Sequence, residues 1–166
     1  MPGMDAITCL KTRRSIRTYA PGVVPRPVIE DLIDCARLAP TAMNRQPWRF
    51  VVVEDAATRA RIAELTGHAA FIAKAAACIA VFVEAGDYWV EDGCAATMNL
   101  LTAAHAHALG ACWVAAHPLA YAEPIARLLG APDGHTLLSL VAVGHPAETP
   151  EPEKRPLTDV LTWERF

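Results

Sequence analysis

The spacing of apolar residues predicts short helices and strands that follow one another along the chain. Apolar side chains recur at helical spacing from Val28 to Ala36, which predicts a helix that opens at Pro27 and ends before Pro40. The run from Ala77 to Val83 is apolar throughout, as in a central strand covered on both faces. Further strands are predicted at 48–53, 112–116 and 136–143, and a short helix around 122–129. No repeat or domain boundary interrupts them, so we expect one domain over residues 1–166.

Two of the predicted helices carry clear end signals. Asp5 is expected to cap a helix over residues 5–14, with Ile7 and Leu10 facing the core. Asp55 and Gly67 are expected to begin and close another.

The segment from Tyr88 to Leu109 predicts a long helix whose only Asp or Glu residues are Glu91 and Asp92. A helix that is apolar nearly all round is a buried helix. Since one small subunit can hardly surround it, we interpret it as a dimer-interface helix. The alternative is a central helix enclosed within one subunit. Residues 146–166 contain four prolines and little to bury, and they predict an extended arm.

Composition and charge narrow the class of protein. The chain has 53% hydrophobic residues and a net charge of −3, which argues against nucleic acid or an anionic membrane as the main partner. Residues 1–50 nevertheless carry eight Lys and Arg against four Asp and Glu, which suggests one local site for a small anion. The five cysteines form no CxxC pair, the longest apolar run has nine residues, and the N-terminus lacks the charge order of a signal peptide. We therefore expect a cytoplasmic protein without a disulfide framework.

Two polar clusters could carry chemistry. In the sequence RRSIR, an extended backbone would point Arg13, Ser15 and Arg17 the same way, a set that suits a phosphate. The alternative is an ordinary basic helix end. In PTAMNRQPW, from Pro40 to Trp48, two prolines flank an amide pair that suits the edge of a heterocycle, although turn chemistry alone would also explain it.

Other known motifs do not occur in the sequence. It contains no GxGxxG, no GxxxxGK[ST] and no GxSxG. His105 and His107 are two apart on a helix and face different ways, and the other histidines are scattered, so no metal site is predicted.

Together, these segments resemble the nitroreductase family of FMN-dependent oxidoreductases. The resemblance is carried by RRSIRTYAPGVVPRPVIEDLIDCARLAPTAMNRQPWRFVVVED, and further by WVEDGCAATMNLLTAAHAHALGACWV and GHPAETPEPEKRP. It implies an α+β fold with a mixed, mainly antiparallel sheet flanked by helices. It also implies a domain-swapped obligate homodimer with FMN at the subunit interface, in which the C-terminal arm (146–166) embraces the partner.

The family's FMN-binding positions map onto four segments of this chain. Arg13 and Ser15 match the phosphate and ribityl positions, with Arg14 between them, and Arg17 matches the basic residue near the pyrimidine end of the ring. A loop that reaches the flavin from the other subunit matches Pro40, Thr41, Ala42 and Asn44, with Gln46 ranked lower. Backbone beside the ring matches Trp113, Val114, Ala115 and Ala116. The basic tail that closes on the phosphate matches Lys154 and Arg155.

The chain departs from some members in ways that bear on the substrate. It has no asparagine just before the strand at Ala77, no acidic residue at Ala115 or Ala116, and no helical insertion over the substrate pocket.

The resemblance implies an NAD(P)H oxidoreductase that works by a ping-pong route, with hydride passing through flavin N5 to a nitroaromatic, quinone or related acceptor. Because the flavin carries the reaction, no side chain is assigned as catalytic. The alternatives are a reductive dehalogenase or flavin-fragmenting relative, and a flavin-binding store, sensor or electron relay without NAD(P)H turnover. A helical dimerisation module without a cofactor would leave both polar clusters as coincidences.

Overall fold

A computed structural model describes residues 4–166, so the first three residues of the predicted domain lie outside the described part. The α-helices are α1 (Ala6–Thr12), α2 (Arg26–Arg37), α3 (Ala56–Thr66), α4 (Trp89–Ala106) and α5 (Ala122–Leu128). The strands are β1 (Tyr19–Ala20), β2 (Trp48–Val53), β3 (Ala77–Glu84), β4 (Gly110–Ala115) and β5 (His135–Pro146). Short 3₁₀ turns occupy Ala42–Asn44, Ala70–Lys74 and Leu157–Asp159.

One mixed sheet organises these elements. β3 lies between β2 and β5, β4 pairs with the other side of β5, and β1 pairs with the last two residues of β5. All of these pairs are antiparallel, and an isolated parallel bridge joins Ser15 to Ala111. The predicted α+β fold with a mainly antiparallel sheet is therefore confirmed.

Helices cover the sheet on both faces. Leu32 of α2 and Leu100 of α4 pack with Ile79 and Val141 on one face. On the other face, α3, the turn at Ala70–Lys74 and α5 pack against Phe82. β3 is buried from Ala77 to Val83 because it lies between both layers, which confirms the prediction of a central strand.

The helix ends follow the predicted chemistry, while the inward face of α1 was predicted wrongly. Asp5 caps α1 by accepting hydrogen bonds from the N–H groups of Ile7 and Thr8, each at 3.1 Å. Ile7 and Leu10 are 59% and 58% exposed, whereas Cys9 is buried. The prediction that both face the core is therefore wrong. Apolar spacing identifies the hydrophobic face of a short helix, but it does not identify the surface that this face covers.

The long helix α4 packs closely on the sheet of its own chain. Eight of its eighteen residues are buried there, from Asp92 to Ala104. A Cβ on Gly93 would lie 2.3 Å from Leu138 Cδ2 and 2.7 Å from Val83 Cγ2, so the helix approaches closer than any other residue would allow. An enclosed central helix thus describes most of α4. A narrower stripe around Met98, which is 38% exposed, stays open, and its place in a dimer interface remains a prediction.

The chain has five cysteines. All five thiols are free, and Cys9, Cys78 and Cys112 are buried. Burial raises the pKa of Cys78 to about 12. Within residues 4–166, no helix is long and apolar enough to cross a bilayer.

Candidate functional site

The basic segment after α1 lies along β4. Arg13 ends the helix, and its N–H donates to the carbonyl of Cys9 at 3.0 Å. Ser15 then bridges to Ala111, and the Ile16 N–H donates to the Ala111 carbonyl at 3.0 Å. The backbone from Arg13 to Ile16 is thereby held beside the start of β4.

This segment and the C-terminal arm line one cavity of about 520 Å³. Its wall contains five cationic side chains and a hydroxyl, and none of its lining residues is acidic. The polar lining residues are Lys11, Arg13, Arg14, Arg17, Lys154 and Ser15. Such a concentration of positive charge in one concave surface selects for an anion. We call this surface the basic cavity.

Most of the cations in the basic cavity are not used by the protein itself. Arg14 is the exception, because its Nη1 donates to the carbonyls of Lys11 and Arg13 at 2.9 and 2.8 Å and so closes the end of α1. Within residues 4–166, the side chains of Arg13, Ser15 and Arg17 have no hydrogen-bond partner. These three groups are therefore available to an outside ligand.

The positive charges of the basic cavity also affect a neighbouring titratable group, His105. Burial, followed by the charges of Arg13 and Arg14, lowers the pKa of His105. Its Nε2 lies 2.8 Å from Thr12 Oγ1, at the end of α1. Positive potential therefore extends beyond the cavity wall.

The arm supplies only one of its two predicted ligands to the cavity. Lys154 lines it together with Pro150 and Pro152, whereas Arg155 is not among the lining residues. Every residue of the arm from Glu151 to Phe166 is exposed, including Trp163 at 79%. Within residues 4–166, this part of the arm therefore buries no side chain against its own chain.

The polar loop before β2 has a strained backbone held by one buried carboxylate. Met43, Asn44 and Gln46 have φ values of 54°, 55° and 51°, in the left-handed region that non-glycine residues rarely occupy. The Ala42 N–H donates to Asp92 Oδ1 at 3.0 Å, and Asp92 is only 6% exposed. Backbone strain of this kind is maintained where the surroundings enforce it, and it clusters at ligand sites.

The two loop amides differ in availability. The side chain of Gln46 braces the loop itself, since its Nε2 donates to the Asn44 carbonyl at 3.3 Å and its N–H donates to Thr41 Oγ1 at 3.2 Å. The Asn44 side chain makes no such bond within residues 4–166 and is exposed. Of the two loop amides, Asn44 is therefore the one whose side chain is free of hydrogen bonds within residues 4–166, and it follows Pro40, Thr41 and Ala42 in the loop.

The end of β4 presents the remaining predicted positions. Trp113 is half-buried against the cluster formed by α2 and α4, and Ala115 is exposed on the same side of the strand. The Ala115 carbonyl accepts a hydrogen bond from the Tyr121 hydroxyl. Along β4, the chain thus aligns the basic cavity at the start of the strand with the exposed Ala115 at its end.

Within one chain, the polar loop lies far from the basic cavity. Trp48 is in register with Val83 and Thr136, whereas Gly110 is opposite Gly144, eight residues further along β5. With three strand spacings between β2 and β4, the two ends lie roughly 25–30 Å apart. The other end of β4 lies nearer to the polar loop, because Ala115 is opposite Ser139, three residues from Thr136 along β5.

The basic cavity fits the phosphate of the FMN that the resemblance implies. An FMN phosphate needs several charge-assisted hydrogen bonds in a concave surface, and the unpaired side chains of Arg13, Ser15 and Lys154 supply them there. Arg17 lies on the same wall. The residues present therefore fit the cofactor at this end.

Three residues of the site were not predicted from the sequence. Lys11 lines the basic cavity, and its position in the last turn of α1, directly before the RRSIR cluster, was the available signal. Asp92 bonds the polar loop over a separation of 50 residues, and Glu148 bonds Arg17 and Thr18 over separations of 131 and 130 residues. No local pattern announces contacts at such distances.

Comparison with known proteins assigns these features to a family. A family model described as the Nitroreductase family matches residues 10–92 and 67–145. A protein of Methanothermobacter thermautotrophicus, provisionally named NADH dehydrogenase/NAD(P)H nitroreductase, is 35% identical over 89% of this chain and 80% of its own length. An iodotyrosine deiodinase of Haliscomenobacter hydrossis is 27% identical over 82% of this chain and 77% of its own.

Solved structures agree on the fold. A provisionally named NADH dehydrogenase/NAD(P)H nitroreductase of Bacteroides thetaiotaomicron superimposes with a TM-score of 0.92 at 28% identity, covering 97% of this chain and 98% of its own. A provisionally named nitroreductase of Desulfovibrio desulfuricans, solved in complex with FMN, has a TM-score of 0.83 at 29% identity and covers 96% of both chains.

Proposed function

This chain belongs to the nitroreductase family, and on that premise we propose that it is an FMN-dependent NAD(P)H oxidoreductase. The observation that carries the proposal is the basic cavity, where five cations and the Ser15 hydroxyl converge without an acidic lining residue. The relative from Desulfovibrio desulfuricans was solved with FMN. FMN is an anion of a size and chemistry that this surface suits.

In this proposal, different residues bind different parts of FMN. Arg13, Ser15 and Lys154 would bind the phosphate, with Arg155 closing over it from the arm. Arg14 would shape the site by fixing the end of α1, as its two bonds to carbonyls indicate. Trp113 and Ala115 would pass the ring along β4.

Arg17 has an electrostatic role in this proposal. Its exposed guanidinium is unpaired within residues 4–166, and it would place a fixed positive charge at the pyrimidine end of the ring. Negative charge gathers at that end when a flavin is reduced, so the cation favours reduction.

When bound, FMN supplies hydride acceptance at N5 and electron donation to a nitroaromatic, quinone or related acceptor, in a ping-pong sequence. The protein contributes position, charge and an open place for the two substrates in turn. No side chain is proposed as an acid or base.

The proposal includes a domain-swapped homodimer, as the family resemblance implies. The polar loop with Pro40, Thr41, Ala42, Asn44 and Gln46 would come from the partner and reach the flavin ring. The apolar surface left open on Ile7, Leu10 and Trp163 supports such an assembly. The domain would span residues 1–166, with 146–166 as the exchanged arm.

Five free thiols support a reducing compartment such as the cytoplasm. The relationship to an iodotyrosine deiodinase favours reductive dehalogenation as a second candidate reaction. Rates with a halogenated phenol and with a nitroaromatic, measured side by side, would distinguish the two.

The phosphate assignment is tested with the Arg13→Ala/Ser15→Ala double variant. Loss of two contacts to an anion is expected to weaken FMN binding by roughly 3–5 kcal/mol, or more than about 100-fold in Kd. Equilibrium dialysis measures the change. Arg61→Ala is the charge-matched control, because within residues 4–166 the Arg61 side chain pairs with Glu64 on α3 and with no other residue. A double variant that binds FMN as tightly as wild type would refute the assignment.

A further inference from the structure

Glu148, at the root of the C-terminal arm, makes more hydrogen bonds than an exposed surface carboxylate needs. One oxygen accepts from the N–H groups of Arg17 and Thr18, the latter at 3.0 Å. The other accepts from Thr18 Oγ1 at 3.2 Å. One residue before Glu148, the Ala147 N–H donates to the Thr18 carbonyl at 2.9 Å.

These bonds join the two segments that line the basic cavity. Arg17 belongs to the segment after α1, and Lys154 follows Glu148 by six residues on the arm. A six-residue tether reaches roughly 20 Å when extended, so the place where it is anchored limits where Lys154 can go. The β1–β5 pairing and the Ala147–Thr18 bond also join these segments, and within residues 4–166 Glu148 makes the last hydrogen bonds along the arm before Lys154.

The negative charge of Glu148 requires an explanation, because the residue lies close to a proposed anion site. A carboxylate near an anion site repels the anion, so proximity alone would select against an acidic residue here. Glu148 is absent from the lining of the basic cavity, and it lines the neighbouring apolar cavity instead. Its oxygens are turned onto backbone donors, and the Arg17 N–H is the first cause that lowers the pKa of Glu148.

We propose that Glu148 is a positioning residue of the FMN site, which fixes the root of the arm to Arg17 and Thr18 so that both walls of the basic cavity hold their places. This inference rests on the proposed function. It assigns Glu148 no contact with the cofactor. Its effect on binding passes through the backbone it holds.

The test compares two substitutions that remove the same charge. Glu148→Ala removes the acceptor as well, and it is expected to weaken FMN binding about tenfold. Glu148→Gln keeps an oxygen that accepts from both N–H groups, and it is expected to bind FMN within about threefold of wild type. If Glu148 acted only through its charge, both variants would bind FMN more tightly.

Glu151→Ala is the matched control, because Glu151 lies on the same exposed arm and makes no hydrogen bond within residues 4–166. It should bind FMN at least as tightly as wild type. The holoprotein of each variant is ultrafiltered over a series of concentrations, and free FMN is measured by fluorescence. Thermal unfolding identifies a variant that does not fold.

If Glu148→Ala does not fold, Thr18→Val serves instead, since it removes one of the three donors and keeps the charge. It should weaken FMN binding in the same direction, but less. Binding by Glu148→Ala, or by Thr18→Val in its place, that equals or exceeds wild type would overturn the inference. A wild-type protein that fails to bind FMN would overturn the proposed function itself.

Discussion

A buried pair of hydroxyls between α4 and the sheet gives a sharp prediction about stability. Thr97 Oγ1 donates to the Gly93 carbonyl at 2.7 Å and lies 2.9 Å from Ser139 Oγ, and both residues are fully buried. Because the single proton of Thr97 is already donated to Gly93, Ser139 must be the donor between the two hydroxyls. The Thr97 hydroxyl thus donates to a carbonyl of α4 and accepts from the Ser139 hydroxyl of β5.

The two single substitutions should therefore differ in size. Thr97→Val keeps the shape but leaves the Ser139 hydroxyl buried without an acceptor, which should lower the free energy of unfolding by about 1–3 kcal/mol. Ser139→Ala leaves Thr97 bonded to Gly93 and should lower it by only about 0.5–1.5 kcal/mol. In the double variant no hydroxyl remains unsatisfied. Its loss should be smaller than the sum of the single losses by about 1–2 kcal/mol.

Urea unfolding followed by tryptophan fluorescence measures these differences. All variants are compared at one protein concentration, since the stability of an assembled chain depends on it. Thr102→Val is the control, because Thr102 makes the same bond to a carbonyl four residues earlier, at 2.9 Å, but on the open side of α4. Additive losses within about 0.5 kcal/mol would refute the reasoning.

Three further predictions concern the loop, the interface and the thiols. Asp92→Ala removes the acceptor of the Ala42 N–H and should lower the free energy of unfolding by about 1.5–3 kcal/mol, and an unchanged melting temperature would contradict this. Met98→Glu should convert a dimer to monomers in light scattering and release FMN with it, whereas a monomer that retains FMN would place the site within one chain. Because burial raises the pKa values of Cys78 and Cys112, both should resist an aromatic disulfide reagent at about pH 8 until the protein is unfolded. Rapid labelling of the native protein at either cysteine would contradict their burial.

The elements that the sequence predicted well are those with signals at both ends. β2 begins directly after Pro47 and ends just before Asp55, the cap of α3, and its bounds at Trp48–Val53 match the prediction. α3 ends at Gly67, whose φ of 72° suits glycine. In these segments, local chemistry and tertiary packing select the same boundary.

Apolar spacing was less informative about what covers a helix. It could not tell the core from a partner surface, so the exposure of Ile7 and Leu10 was not predicted, and the enclosure of most of α4 within its own chain was given only as the alternative. The contacts of Asp92 and Glu148 depend on which strands become neighbours. The sequence therefore predicted the basic cluster and the polar loop, but not the carboxylates that hold each of them.

The measurement that tests the central claim most directly is the visible absorption spectrum of the purified protein, taken without oxygen before and after NADH and then NADPH. We predict a flavin spectrum that bleaches with at least one of the two donors. Bound flavin that resists both donors would contradict the oxidoreductase and favour a flavin store, sensor or relay. A colourless protein that does not take up added FMN would contradict the FMN site itself.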